Sequence, residues 1–527
     1  MPARRLFFLL LISLSVASCS TNPADLPSSY PTYDPFVPLQ GGGPIVDANS
    51  TSAPIPTRTA GPTPTRAPLT ILVPTHNPDA PLVTPTPDRP RTLPTPRRAA
   101  DQYVVTAGDT LGSIAQANGI SVEALEQANS LSGTSVLSIG QTLNVPAPLP
   151  VAAGSAFKVI PDSELVYGPA SALFDIDAYI QSQKGYLANY TQNVNEETYT
   201  GARVVERIAQ DYSVNPRLLL ALLEYRSKWV TSAQPATGTA DYPLGFVEPN
   251  HVGLYHQLAW AANQLNRGFY LWRVNAIGDW VLGDGSVVPI DPGINAGTAG
   301  VQDFFSVLDD RQTWDTDISA FGLFQTYFLM FGGNPFDLSI EPLIPLNLSQ
   351  PRMDLPFAPG SQWAFTGGPH AGWDSGSAWA ALDFAPSDVM GCAMSQEWVI
   401  AVANGFIVRA SDGAVIQDLD GDGYEQTGWD VLYMHMAAQD RVAAGTYVSA
   451  GDRIGHPSCE GGVANAAHLH LVRKYNGEWI SADGPLPFVL GGWTSSGNAT
   501  EYDGYLKRGA TTLEAAEGTT GSNQISR

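Results

Sequence analysis

The chain has 527 residues, 44% of them hydrophobic, and its 50 acidic residues outnumber 27 basic ones to give a formal charge of -23. That length exceeds what one hydrophobic core serves and predicts about three domains with linkers, while 42 prolines and 51 glycines predict long irregular stretches. Such an acidic surface repels a phosphate backbone and gains nothing from counterion release, which excludes nucleic acid as a partner.

In chain order, Arg4 and Arg5 form a short basic region, Leu6 to Val16 an apolar run, and small residues lead to Cys19. This pattern predicts a signal peptide over residues 1–19. The run Val16-Ala17-Ser18-Cys19 resembles the lipobox of bacterial lipoproteins. The resemblance implies that Cys19 is lipidated and opens the mature chain, so the body lies outside the cytoplasm and meets the membrane by its lipid anchor only. No other stretch reaches the ~20 apolar residues that cross a bilayer. Cys392 and Cys459 are the two remaining cysteines, and in an oxidising compartment they are expected to form a disulfide.

Residues 20–100 are dominated by proline, threonine and serine, as in Gly61-Pro62-Thr63-Pro64-Thr65, and are expected to be a disordered, semi-rigid tether. Residues 101–148 read as strand, helix, helix, strand. Tyr103 to Val105 precede a polar turn, Leu111, Ile114 and Ala115 take helical spacing, as do Val122, Leu125 and Ala128, and Leu143-Asn144-Val145-Pro146 closes the unit. With the Ala128-Asn129 pair and the Gly140-Gln141 turn, this βααβ segment resembles a LysM domain. The resemblance implies binding to N-acetylglucosamine-containing glycans such as peptidoglycan, without identifying the glycan-binding residues.

Residues 155–345 read as a mostly α-helical domain, with Asn215 as N-cap and Pro216 at the first helical position of an apolar run. The stretch from Val214 to Trp229 resembles the catalytic helix of lytic transglycosylases and goose-type lysozymes. Those enzymes carry a glutamate directly before the serine, where this chain has Arg226 before Ser227. An arginine delivers no proton at neutral pH, and Glu224 is rotated about 200° away on a helix. The expectation is a lysozyme-like fold without that acid, serving in spacing or glycan binding.

Residues 346–495 read as an all-β domain of short antiparallel strands broken by glycine turns. Five of the eight histidines fall between His370 and His470. In His468-Leu469-His470, strand alternation puts both imidazoles on one face. Upstream stand Thr366-Gly367-Gly368-Pro369-His370, Leu382-Asp383-Phe384-Ala385-Pro386 and Tyr433-Met434-His435. Together these blocks resemble the lysostaphin and LytM type of zinc endopeptidase, closest to its beta-lytic subgroup, and imply a duplicated-hybrid-motif-like fold. The resemblance implies His370, Asp383 and His470 as ligands of Zn2+, with the fourth position left to water. It implies His435 and His468 as the catalytic pair that orients the water and moves its proton. Asp374, at the His-x-x-x-Asp spacing, competes with Asp383, which is favoured because a strand holds a ligand more rigidly than a Gly/Ser loop.

His456 matches no ligand position and reads as a loop residue. Asp418, Asp420 and Asp422, followed by Gly423, begin like a calcium loop, but the twelfth position is Trp429 rather than glutamate, so an acidic hairpin turn is expected. Residues 496–527 read as a flexible C-terminal tail. The resemblances combine into a zinc-dependent endopeptidase that cuts peptide cross-links of peptidoglycan. A non-catalytic wall-binding or activator protein, and a glycan-cleaving enzyme acting through the helical domain, stand as alternatives.

Overall fold

The computed structural model describes residues 99–527 apart from 134, 148–151 and 196. The signal peptide, Cys19 and nearly all of the 20–100 tether lie outside the described residues. Among those described, no helix is long and apolar enough to cross a membrane.

The first unit is β1 (Asp101–Val104), α1 (Leu111–Ala117), α2 (Val122–Asn129) and β2 (Thr142–Val145), with β1 and β2 paired antiparallel. Its order is the expected βααβ. Ser121 caps α2 by accepting from the Ala124 amide. Asn129 then pins the helix to the closing strand, donating to the Leu125 and Asn144 carbonyls and accepting from the Asn144 amide at 2.6 Å. That double bond gives the Ala-Asn pair a structural reason. A small core of Val105, Leu111, Ile114, Leu125, Leu143 and Val145 completes the unit.

The second segment is mostly helical: α3 (Ile176–Gln183), the hairpin β3 (Thr191–Val194) and β4 (Glu197–Thr200), α4 (Gly201–Tyr212), α5 (Pro216–Ser227), α6 (Leu254–Arg273), the hairpin β5 (Asp279–Val281) and β6 (Val287–Pro289), α7 (Ala296–Leu308), α8 (Arg311–Asp317) and α9 (Leu323–Phe331). Asn215 caps α5 through the Arg217 amide, with Pro216 at its first turn, as the sequence predicts. Phe321 lies just before the last helix and is exposed.

The third segment is antiparallel β: β7 (Gln362–His370), β8 (Ala381–Ala385), β9 (Val399–Ile400), β10 (Gly405–Ser411), β11 (Ala414–Asp418), β12 (Trp429–Met434), β13 (Tyr447–Val448), β14 (Arg453–Gly455), β15 (Leu469–Tyr475), β16 (Glu478–Trp479), β17 (Val489–Leu490), β18 (Trp493–Gly497), β19 (Gly504–Arg508), β20 (Thr511–Glu514) and β21 (Gln524–Ser526). The main sheet runs β13-β10-β11-β12-β15-β8-β7-β21, with β16 added to β15. The expectation of a flexible tail from 496 is corrected. That stretch completes β18, supplies β19 and β20 of a second sheet, and returns as β21 to pair with β7, burying Leu506 and Ile525. Alternation of Leu506 and Leu513 with polar neighbours is the apolar pattern that makes these strands worth ordering.

Strand alternation divides the main sheet into two faces. Leu382, Phe384, Val431, Tyr433, Leu469 and Leu471 point into the core of the β segment itself. Ala381, Ala414, Ile416, Leu432, Val472 and Trp479 point the other way, into the core of the helical segment. The helical and β segments therefore share a hydrophobic core. Polar ties reinforce it: the Trp479 amide donates to the Tyr270 hydroxyl, and Glu478 pairs with Arg273 at 3.1 Å.

Burial pushes the Glu478 carboxyl up to about 7, against the pull of Arg273. Between the ordinary glutamate pKa and that value the folded state holds a proton the unfolded chain has released, so stability falls as pH rises through this window. Denaturant midpoints measured from about pH 5 to about pH 8 should fall in the wild type and fall less in Glu478→Gln; parallel curves would contradict this assignment.

Candidate metal and histidine site

Three strands bring the site together. His470 on β15 is the direct cross-strand partner of Asp383 on β8, and His370, at the end of β7, lies opposite Ala381, two residues from Asp383 on the same face. Register shifts in β7 after Phe365 and after Gly367 bend that strand and re-aim His370 toward its partners. Gly367 is required here by packing. A Cβ built on it would meet Asp383 Oδ2 at 2.6 Å, so any side chain would displace the carboxylate.

The hydrogen bonds assign the imidazole tautomers. His370 Nδ1 lies 2.7 Å from the Gly368 carbonyl and His470 Nε2 lies 3.1 Å from the Gly372 carbonyl. A carbonyl only accepts, so these nitrogens carry the protons, and His370 Nε2 and His470 Nδ1 present lone pairs. Those two nitrogens are 3.0 Å apart and lie 3.3 and 3.2 Å from Asp383 Oδ1. Asp383 Oδ1 is itself buried with no hydrogen-bond donor.

Three acceptor atoms thus converge with nothing between them to satisfy them. A tetrahedral ion with bonds of ~2.0–2.1 Å would separate its ligands by about 3.3–3.4 Å, so two nitrogens and a carboxylate at these spacings fit zinc. Burial alone would raise the Asp383 pKa, but His370 and His468 hold it well below the usual carboxylate range. Burial opposes a charged His370 and Asp383 outweighs it, so a proton competes with a cation for the same lone pairs.

Asp374 is not part of this cluster. Its Oδ2 accepts from the Tyr212 hydroxyl at 3.2 Å and its Oδ1 from the Ser375 amide, turned toward the helical segment. His435 and His468 stand beside the cluster with ring centroids 4.5 Å apart, and His468 Nε2 is 3.8 Å from Asp383 Oδ1. Their Nδ1 atoms face the carbonyls of Glu460 and Ala466 at 3.0 and 2.8 Å, so each offers Nε2 as an acceptor. His435 follows β12 with φ 65°, a left-handed backbone that breaks strand alternation and turns its ring to the site. Burial, then the neighbouring His468 and His470, hold its pKa well below the usual imidazole range.

His456 is elsewhere, its ring against Trp398 and its Nδ1 facing the Glu397 carbonyl. The expected disulfide is present between Cys392 and Cys459, Cα atoms 5.3 Å apart. It joins the loop after β8 to the loop before β15, where the Ala467 amide also donates to the Gly391 carbonyl.

Two contributors escape sequence reasoning. The Tyr502 ring stacks on His370 with centroids 4.1 Å apart, and Glu501 accepts from the Ala371 amide at 3.2 Å. Both lie in the β18–β19 turn, outside every motif block. The strand-like Tyr505-Leu506-Lys507 was the one signal that this region folds back.

In the helical segment, Glu224 accepts from the amides of Val230 and Thr231 and from the Thr231 hydroxyl, at 3.2, 3.0 and 2.7 Å. Its carboxylate closes the loop after α5. Arg226 pairs with Asp309 and Asp317, and the Ser227 hydroxyl donates to the Leu223 carbonyl.

Residues 103–146 match the LysM domain family, and residues 158–343 match the family described as LasA, N-terminal domain. The segment expected to be lysozyme-like is thus the one similar to that LasA domain. Protease LasA of Pseudomonas aeruginosa, in two strains, is 23% identical over 370 residues, which span 66% of this chain and 80% of that protein. Among solved structures, the M23 metalloprotease pseudoalterin from the deep sea is 23% identical, covering 34% of this chain and 99% of its own, with a TM-score of 0.27. The catalytic domain of lysostaphin from Staphylococcus simulans is 26% identical, covering 23% and 89%, with a TM-score of 0.18.

With its oxygens committed to the loop, Glu224 serves packing. Glu224→Ala should cost about 1–3 kcal/mol of stability by orphaning buried donors, read by chemical denaturation; an unchanged denaturation midpoint would contradict this role.

Proposed function

We propose that this chain is a zinc-dependent endopeptidase that hydrolyses peptide cross-links of bacterial peptidoglycan, concentrated on the wall by its LysM-like unit and tethered to the envelope membrane through a lipidated Cys19. The observation that carries the reading is the convergence of His370 Nε2, His470 Nδ1 and Asp383 Oδ1, three acceptor atoms 3.0–3.3 Å apart with no donor among them. Similarity to Protease LasA over 66% of the chain, with residues 158–343 matching the LasA N-terminal domain family, supports it.

In this reading His370, Asp383 and His470 hold the ion. Zinc bound there supplies Lewis acidity that polarises the scissile carbonyl and makes water a nucleophile near neutral pH. His435 and His468 do the proton work. His435 is buried and stays neutral, so its Nε2 accepts a hydrogen bond and orients the attacking water. His468, with a side chain 16% exposed, takes the proton on Nε2 and returns it to the departing amine. Once protonated, His468 also donates to the oxygen that gains charge. The LysM-like unit acts by effective concentration, holding substrate near the site without touching it.

The test is digestion of purified peptidoglycan, scoring new amino termini separately from new reducing or anhydro-sugar ends. Wild type should release amino termini and contain about one zinc per chain. His470→Ala and Asp383→Asn should lose both, and Asp374→Asn should keep the zinc. His468→Ala should keep the zinc and lose activity by about 10²–10⁴-fold. Equal release by wild type and His470→Ala would sink the mechanism; sugar ends without amino termini would favour the glycan-cleaving alternative.

A further inference from the structure

The face of the main sheet that carries the histidine site has a second polar end. Along β15 this face reads His470, Val472, Lys474, and along β12 it reads Asp430, Leu432, Met434, with Asp430 opposite both Lys474 and Asp418. The middle positions are apolar and covered by the helical segment. At the far end, the ten-residue turn 419–428 joins β11 to β12 and is closed by the Leu419 amide donating to the Trp429 carbonyl. With the last residue of β11 it reads Asp418-Leu419-Asp420-Gly421-Asp422-Gly423.

Asp418, Asp420 and Asp422 each present an oxygen within 4.8 Å of the others. Ligand oxygens around a calcium ion at ~2.4 Å lie no more than about 4.8 Å apart, so these three carboxylates are close enough to share one ion. The backbone is already wound for it: Asp418 accepts from the amides of Asp420, Gly421 and Gly423, and Asp422 accepts from the Tyr424 amide. Gly428 has φ +65°, and a Cβ there would collide with the Asp420 carboxylate, so this position leaves room for that group.

An independent observation points to a missing cation. Asp430 is 0% exposed, and neither of its carboxylate oxygens has a hydrogen-bond partner. Its cross-strand pairing aims it at Asp418. Nearby Glu425 is also buried and is shared between Arg409 and Lys474. Five carboxylates therefore meet two cations, and Arg409 is further drawn to Asp211 on α4. Lys474, opposite Asp430 and itself without a hydrogen bond at Nζ, leaves the surplus of carboxylates uncompensated, which a divalent ion would offset.

We infer that the turn and its flanking strand ends form a calcium site, with Asp418, Asp420 and Asp422 as loop ligands and Asp430 as the buried carboxylate completing the charge. Trp429 occupies the position where helix-flanked calcium loops place glutamate; here strand pairing supplies Asp430 one residue later. Hard oxygen ligands select calcium over zinc. The site is structural. Four steps of strand rise separate Lys474 from His470, about 13 Å, and the ion would instead brace the β11–β12 turn and the Asp211–Arg409–Glu425 network that ties the sheet to α4.

The test is calorimetric titration of zinc-loaded, full-length protein with calcium chloride, paired with thermal unfolding. Wild type should bind about one equivalent with Kd on the order of 10⁻⁶ to 10⁻³ M, bind magnesium chloride more weakly, and unfold at higher temperature with calcium present. Asp422→Asn should weaken calcium on the order of tenfold or more, and His470→Ala should leave it unchanged. No saturable calcium binding by wild type would overturn the proposal, as would binding lost in His470→Ala but kept in Asp422→Asn.

Discussion

The structure depends on the register of β15. Because side chains alternate, His468, His470, Val472 and Lys474 share one face while Leu469, Leu471 and Arg473 share the other. A slip of one residue would bury the histidines in the apolar core and turn the leucines toward the site. The pairs His470 with Asp383 on one side and Met434 with His470 on the other fix that register from both neighbours. Leu469 and Leu471, both fully buried, supply the hydrophobic energy that resists the slip.

The same face is used three times along its length. One end holds the histidine cluster, the middle is the apolar seam beneath the helices, and the other end holds the acidic turn. Helices on the seam also reach the histidine end. The loop between His370 and Asp383 rests on α6 and α4: Asn263 donates to Ser375 and accepts from the Gly376 amide, and Tyr212 donates to Asp374. That loop contains Gly372, whose carbonyl orients His470. The helical segment therefore supports the site through the groups behind its converging acceptor side chains, which is where their geometry is set.

Period-two spacing by itself gives only that His468 and His470 share a face; the wider residue set comes from the resemblance of several short blocks to the lysostaphin and LytM type. His370, Asp383 and His470 come from three such blocks, and the structure brings them to one point. The sequence favours Asp383 over Asp374, and the fold adds the geometric difference: both are near His370 in sequence, but only Asp383 is the cross-strand partner of His470. Tyr502 and Glu501 were illegible, since they reach His370 through a turn whose approach depends on β18, β19 and β21 closing the sheet.

The sequence by itself determined the local elements: the βααβ unit, the Asn215-Pro216 helix start, the His468-Leu469-His470 strand and the cysteine pair. These follow from contacts within a few residues or from chemistry with few partners to choose from. Tertiary structure decided what lies far apart in the chain: the shared core of the helical and β segments, the ordering of residues 496–527, and the placement of unpartnered Asp430 against Asp418. Such contacts depend on which faces meet, and alternation states only that a strand has two faces, leaving their partners to the packing of the whole chain.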